Sequence, residues 1–168
     1  MVVARDSYTM EERKRKTPRY EDFTCTIDTR EVYPLDVSPL KSVRRTMATG
    51  DYGILEYPDK ITVELKETSD IIQCCTTSRD RFERELVRMR EYPYRAIVVM
   101  GTWEEIASGN YRSAIKPQAV LGSLMAFAMS ANVSIIMAED RKKAGLLVAR
   151  LLWVAANQCH RTKNQSRQ

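Results

Sequence analysis

One histidine stands in the whole chain, His160, close to the C-terminal end. A Ser-His-Asp triad or a histidine-built zinc site therefore has almost nothing to draw on. The four cysteines, Cys25, Cys74, Cys75 and Cys159, include no Cys-x-x-Cys pair. That argues against a zinc knuckle or a thioredoxin-like motif and reads as reduced thiols. The six glycines form neither a Gly-x-Gly-x-x-Gly nor a Gly-x-x-x-x-Gly-Lys loop, so no nucleotide cofactor is expected. No apolar run reaches the roughly 18 residues of a membrane span. The opening stretch carries charge from Arg5 onward with no apolar core, so neither membrane insertion nor secretion is expected. The expected location is the cytoplasm, with the nucleoid, in a prokaryote or virus, and the nucleus in a eukaryote. Any chemistry then falls to carboxylates, lysines and arginines.

What is present supports one folded domain. The 168 residues are 43% hydrophobic, and 27 Lys+Arg against 22 Asp+Glu leave a net charge of +5. That surplus permits a polyanionic partner without demanding one. Residues 1–22 read as a flexible charged arm with a basic cluster at Arg13, Lys14, Arg15 and Lys16, residues 23–157 as the folded domain, and residues 158–168 as a basic tail. From Phe23 to Asp28 apolar and polar residues alternate, the period of a strand, and Val43–Ala48 is a second strand candidate. Tyr52–Glu56 and Lys60–Lys66 flank a Tyr-Pro-Asp turn and read as a hairpin. The remainder alternates helices with buried strands: helices from about Ser69, Asp80, Thr102 and Pro117, strands at Ala96–Met100 and Val133–Met137, and a last helix expected to end near Asn157. The order, a meander of strands followed by helix, strand, helix, strand and helix, predicts an α/β fold, a three-layer α/β/α sandwich with a mixed central sheet.

In the strand Ile61-Thr62-Val63-Glu64-Leu65-Lys66, alternation puts Ile61, Val63 and Leu65 on one face and Thr62, Glu64 and Lys66 on the other. Asp51 lies upstream across the hairpin and Asp70 downstream at a helix start. Three carboxylates converging with a lysine suit a phosphodiesterase that uses Mg²⁺ or Mn²⁺. Such an ion takes oxygen ligands and keeps several waters, and a lysine beside it can orient the attacking water or pair with phosphate. A solvated strand face with a surface ion pair is the alternative for Glu-x-Lys taken alone.

Four segments, Asp28-Thr29-Arg30-Glu31, Gly50-Asp51-Tyr52, Val63-Glu64-Leu65-Lys66 with Asp70, and Arg79 to Leu86, resemble in order the motifs of the XPF-type nuclease domain. The resemblance covers residues 23–157. It implies a restriction-endonuclease-like core and cleavage of branched, flapped or single-strand-containing DNA. It further implies that Asp51, Glu64 and Asp70 surround the metal, that Lys66 meets the scissile phosphate, and that Asp28 and Arg30 border the same site. Leu65 replaces the family arginine between Glu and Lys, and Met100-Gly101 stands where stand-alone relatives tend to have Glu-Gly. A DNA-binding or scaffolding module impaired in catalysis is accordingly the rival reading. No tandem helix-hairpin-helix domain is found in these residues, so a homodimer is left open.

The helix from Arg79 carries Arg81, Arg84 and Arg88 at spacings of three and four, one edge that could follow a phosphate track or pair within the helix, for instance Arg81 with Glu85. The resemblance favours DNA for Arg81 and Arg84. Arg44 and Arg45 precede the metal site, and one of them is expected to face it or the DNA. Trp103 and Trp153 read as packing residues.

Overall fold

The computed structural model describes residues 18–165. The basic cluster Arg13–Lys16 and Arg167 of the tail lie outside the described residues. Six strands, β1 (Thr24–Ile27), β2 (Lys41–Arg44), β3 (Tyr52–Ile54), β4 (Ile61–Glu67), β5 (Tyr94–Met100) and β6 (Ser134–Met137), form one sheet in the order β2-β1-β3-β4-β5-β6. β3 is antiparallel to β1 and β4, and the remaining pairs are parallel. Helices α1 (Thr68–Cys74) and α2 (Arg79–Met89) connect β4 to β5, α3 (Trp103–Ser108) and α4 (Pro117–Ala131) connect β5 to β6, and α5 (Arg141–Gln165) follows β6. The two crossovers step the same way across the sheet and place α1 to α4 on one face, while α5 covers the other. The predicted three-layer α/β/α sandwich with a mixed sheet is the architecture found. No described helix is long and apolar enough to cross a membrane.

Strand alternation divides the core in two. From β5, Ala96 and Val98 pack with α5, while Ile97 and Val99 join Phe82, Leu124 and Phe127 beneath the other layer. On β4 the apolar face of Ile61, Val63 and Leu65 packs with the α5 side as expected. The polar face is not solvated: Thr62, against which Thr49 and Gly50 lie, is 0 % and Glu64 4 % exposed, and Phe82 of α2 sits by Lys66. Local signals place the helices well. Thr102 Oγ1 accepts the Glu105 N–H at 3.0 Å, and Glu105 Oε2 accepts the Thr102 N–H at 2.8 Å, a reciprocal cap for α3. Pro117 opens α4, where its missing N–H costs nothing.

Four expectations are corrected. The strand predicted at Val43–Ala48 is Lys41–Arg44, because the Asp28 carboxylate takes the Met47 N–H at 2.6 Å and draws the chain out of the ladder. β2 runs parallel to β1, not as a meander neighbour, since the 28–40 connection crosses over α5 and buries Leu35, Val37 and Leu40. The arm does not extend to residue 22: Tyr20 stacks on Trp153 with ring centroids 4.9 Å apart and bonds Arg150 Nη1 at 3.1 Å. This contact also makes Trp153 a packing residue. The last helix passes Asn157 and runs to Gln165, because residues 158–165 hold no Gly or Pro and Cys159 packs into the core beside Tyr57 and Tyr94.

Gly145 permits the crossover to seat on α5. A Cβ there would overlap the main-chain carbonyl of Asp36. Gly145→Ala gains about 1 kcal/mol in helix propensity, while overpacking against fixed backbone costs about 1–3 kcal/mol. The clash is expected to win, lowering the urea midpoint of Gly145→Ala; a raised midpoint would show that the 35–40 segment does not bear on the helix.

Candidate active site

The registers Ile27↔Tyr52 and Tyr52↔Val63 bring the end of β1, the start of β3 and the C-terminal half of β4 to one edge of the sheet. Asp28, Asp51, Glu64 and Lys66 are carried there by strand geometry alone. Asp51 is tied to both neighbours through its main chain: its N–H donates to Val63 O at 2.9 Å, and its carbonyl accepts the Asp28 N–H at 2.8 Å. Its side chain is fixed as well, with Oδ2 accepting the Leu65 N–H at 2.8 Å. Gly50 makes this approach possible. It has φ +77°, and a Cβ would overlap Thr62 Oγ1, which donates to the Thr49 carbonyl at 3.0 Å.

Glu64 forms an ion pair with Lys66 through Oε1 and Nζ. The Lys66 ammonium stands 5.9 Å from the centre of the Phe82 ring on α2. Burial pushes Asp51 up to about 6, against the Leu65 N–H and Lys66, which draw it down. Burial, followed by repulsion from Asp51, pushes Glu64 up to about 8, against the pull of Lys66. Burial disfavours the Lys66 ammonium, but Glu64, Glu85 and Asp51 outweigh it and hold this lysine above its ordinary value. Two carboxylates that resist ionising together mark a site short of positive charge.

Asp28 has a different role. Its carboxylate accepts Arg30 Nε at 2.7 Å, Arg30 Nη2 at 3.1 Å, the Arg30 N–H at 2.8 Å and the Met47 N–H at 2.6 Å. The Arg30 bond foremost holds Asp28 down to about 2 despite its burial. With its oxygens committed in this way, Asp28 is a latch joining the 28–31 turn to the 45–49 segment. Arg30 is 69 % exposed in its side chain and reaches the Met47 carbonyl at 3.0 Å. Arg44 braces the same turn, donating to the Thr29 carbonyl at 3.2 Å and to the Glu31 carbonyl. Arg45 is exposed and follows β2 through its N–H bond to Ile27 O at 2.9 Å.

Asp70 does not join Asp51 and Glu64. Among the described residues no three His, Cys, Asp or Glu side chains stand close enough to hold one ion. Asp70 is exposed on the first turn of α1, because Ile71, Ile72 and Cys74 supply the buried face of that short helix. Sequence reasoning missed Glu85, whose charge bears on Asp51, Glu64 and Lys66 together. The signal was its place beside the buried stripe of Phe82, Leu86 and Met89. The intrahelical pair Arg81–Glu85 is absent among the described residues, where Arg79 pairs with Glu83 at 2.9 Å instead. Arg81 and Arg84 are exposed and make no ion pair with a described residue.

The ERCC4 domain family matches residues 13–151 of the chain. The chain belongs to the ERCC4 domain family. Solved structures with the same fold include XPF from Aeropyrum pernix, at TM-score 0.64 and 20% identity, covering 79% of this chain and 61% of that one. Another is XPF from Aeropyrum pernix in complex with DNA, at TM-score 0.62 and 20% identity, covering 81% and 66%. The chain thus spans less than two thirds of either solved chain. No curated protein matches it. This ERCC4 domain has the fold of the XPF nuclease domain, with the restriction-endonuclease-like core expected from its motifs.

The donor set of the ERCC4 domain fits a hard divalent cation. Asp51 and Glu64 offer oxygen ligands, and Asp51 Oδ1 and Glu64 Oε2 accept no hydrogen bond from the described residues. Because both acids are shifted upward, the folded state binds more protons than the unfolded one between the ordinary values of 3.8 and 4.5 and the folded values of about 6 and about 8. Stability then falls as pH rises through that window. In chelator, the melting temperature is expected to drop between about pH 4.5 and 8, with a flatter slope in Asp51→Asn and Glu64→Gln. A wild-type melting temperature that climbs across this range would contradict the burial of both carboxylates.

Proposed function

We propose that this ERCC4 domain is a Mg²⁺- or Mn²⁺-dependent endonuclease that hydrolyses phosphodiester bonds in branched, flapped or single-strand-containing DNA. The observation that carries the reading is the buried pair Asp51 and Glu64 beside Lys66 at converging strand ends. A bound divalent ion would lower the pKa of a water and offset charge building on the phosphate. Asp51 and Glu64 would hold it, Asp51 already oriented by Leu65 N–H. Lys66 lies two residues along the same strand face and serves as the cation at the scissile phosphate. Water attacks phosphorus, the bond to the leaving sugar oxygen breaks, and the proton lost by the water passes to solvent or to that oxygen.

The XPF structure in complex with DNA supports nucleic acid as the partner. Arg81 and Arg84, unpaired among the described residues, and the exposed Arg45 are the cations we assign to phosphate contacts, with Arg30 and Arg44 holding the 28–31 turn in place. The rival reading, a DNA-binding module without turnover, rests on Leu65 and Met100. Leu65 weighs little in its favour. Its side chain packs toward α5, and what it contributes to Asp51 is a main-chain N–H that any residue except proline provides.

Labelled flap, fork and linear duplexes incubated with and without Mg²⁺ decide between the two. Cleavage is expected only with the ion and should fall at least about 100-fold in Asp51→Asn, Glu64→Gln and Lys66→Ala. Binding without cleavage on every substrate establishes the rival. The proposal includes a homodimer. β6 is an edge strand, and α4 carries no charged residue while exposing Met125 and Met129, the latter at 82 %. A second copy is the occupant assigned to that face. Light scattering should then give twice the 19.4 kDa chain mass, returning to the single mass in Met129→Glu.

A further inference from the structure

Helix α2 presents to the site more than the arginines that drew attention to it. Phe82 is buried and its ring lies under the Lys66 ammonium. At about 100° per residue, Glu85 falls about 60° around the helix from Phe82, with Arg81 about 40° farther on. Arg79, about 60° from Phe82 on the other side, lies 4.9 Å from the centre of the Phe127 ring on α4, so the flank away from α4 carries, in order, Glu85 and Arg81. Glu85 is half-buried and has no ion pair or hydrogen bond among the described residues, although Arg81 and Arg88 occupy neighbouring turns. Glu85 thus approaches from the helix layer, on the flank of Phe82 away from α4, while Asp51 and Glu64 approach from the sheet.

Asp51, Glu64 and Glu85 thus stand around Lys66, while Asp28 is paired with Arg30. The three do not stand close enough to grip one bare ion together. A magnesium-sized ion seldom needs that, because it keeps several water molecules whose protons point outward. A carboxylate beyond direct reach can accept those protons, and removing such an outer partner commonly costs tenfold or more in metal affinity.

We propose that Glu85 is a third carboxylate of the cation site, acting from α2 on the water molecules of the ion held by Asp51 and Glu64. The inference rests on the cation-dependent reading above and adds to it a positioning residue on the helical layer. It gives α2 two functions on adjacent strips of its surface: Glu85 toward the ion, and Arg81 with Arg84 toward phosphate. The helix then couples ion binding to the DNA track through one rigid element.

The test is Mn²⁺ binding to the full chain, followed by electron paramagnetic resonance of the free ion, without DNA or turnover. Glu85→Gln is expected to weaken binding about tenfold, and Glu85→Asp, which restores the charge, to recover most of it. Glu83→Gln, one helical step outside the site and paired with Arg79, should bind as wild type does. Unchanged affinity in Glu85→Gln overturns the proposal, as does an equal loss in Glu83→Gln, which would mean a diffuse charge effect. If Asp51→Asn and Glu64→Gln abolish binding while Glu85→Gln does not, the cation site stands and only the role of Glu85 fails. If the wild-type chain takes up no Mn²⁺, both readings fall. Should Glu85→Gln not fold, Glu85→Ala and Glu85→Asp carry the same comparison.

Discussion

A carboxylate at position 64 lies between two helical layers, beside a second carboxylate, and the site is organised around that constraint. Burying an anion costs several kcal/mol unless a partner offsets it. Lys66, two residues along the same strand face, is the offset within the chain. Burial drives both sheet carboxylates toward their protonated forms, Glu64 further through repulsion from Asp51, and the pull of this one lysine does not offset it. The arrangement is stable enough to fold yet incomplete in charge. The divalent cation proposed for the site would supply the missing charge.

The surrounding structure keeps that deficit in place. Gly50 allows the chain to pass against Thr62, the main chain of Asp51 bridges β1 and β4, and the Leu65 N–H orients its carboxylate. Asp28 spends its charge on Arg30 and on two main-chain N–H groups, fixing the turns that frame the site. The two acids nearest in the strand order thus do opposite work. One is held far below the ordinary carboxylate range by its partners, and the other is raised by burial.

Legibility varied by element for physical reasons. The two-residue period of β4 assigned Leu65 to one face and Glu64 with Lys66 to the other, because alternation is a property of the strand itself. The caps of α3 and α4 were equally local. The parallel pairing of β2 was not readable, since it depends on where the 28–40 crossover finds an apolar helix to rest on. The extension of α5 to Gln165 depends on Cys159 meeting Tyr57 and Tyr94, residues more than 60 positions upstream. Asp70 looked like a ligand by spacing, but the buried face of α1 turned it to solvent.

The sequence by itself determined the chemistry in reserve: carboxylates, a lysine and arginines, with histidine and glycine-loop mechanisms set aside by composition. It also determined which residues share a strand face, because backbone periodicity needs no tertiary partner. Only the tertiary structure decided which acids meet. It set the charge of Glu85, on a different layer, within range of Asp51 and Glu64, left Asp70 exposed on α1 and converted Asp28 into a latch. Those outcomes depend on burial and on the low dielectric it creates, and both exist only once the layers have closed.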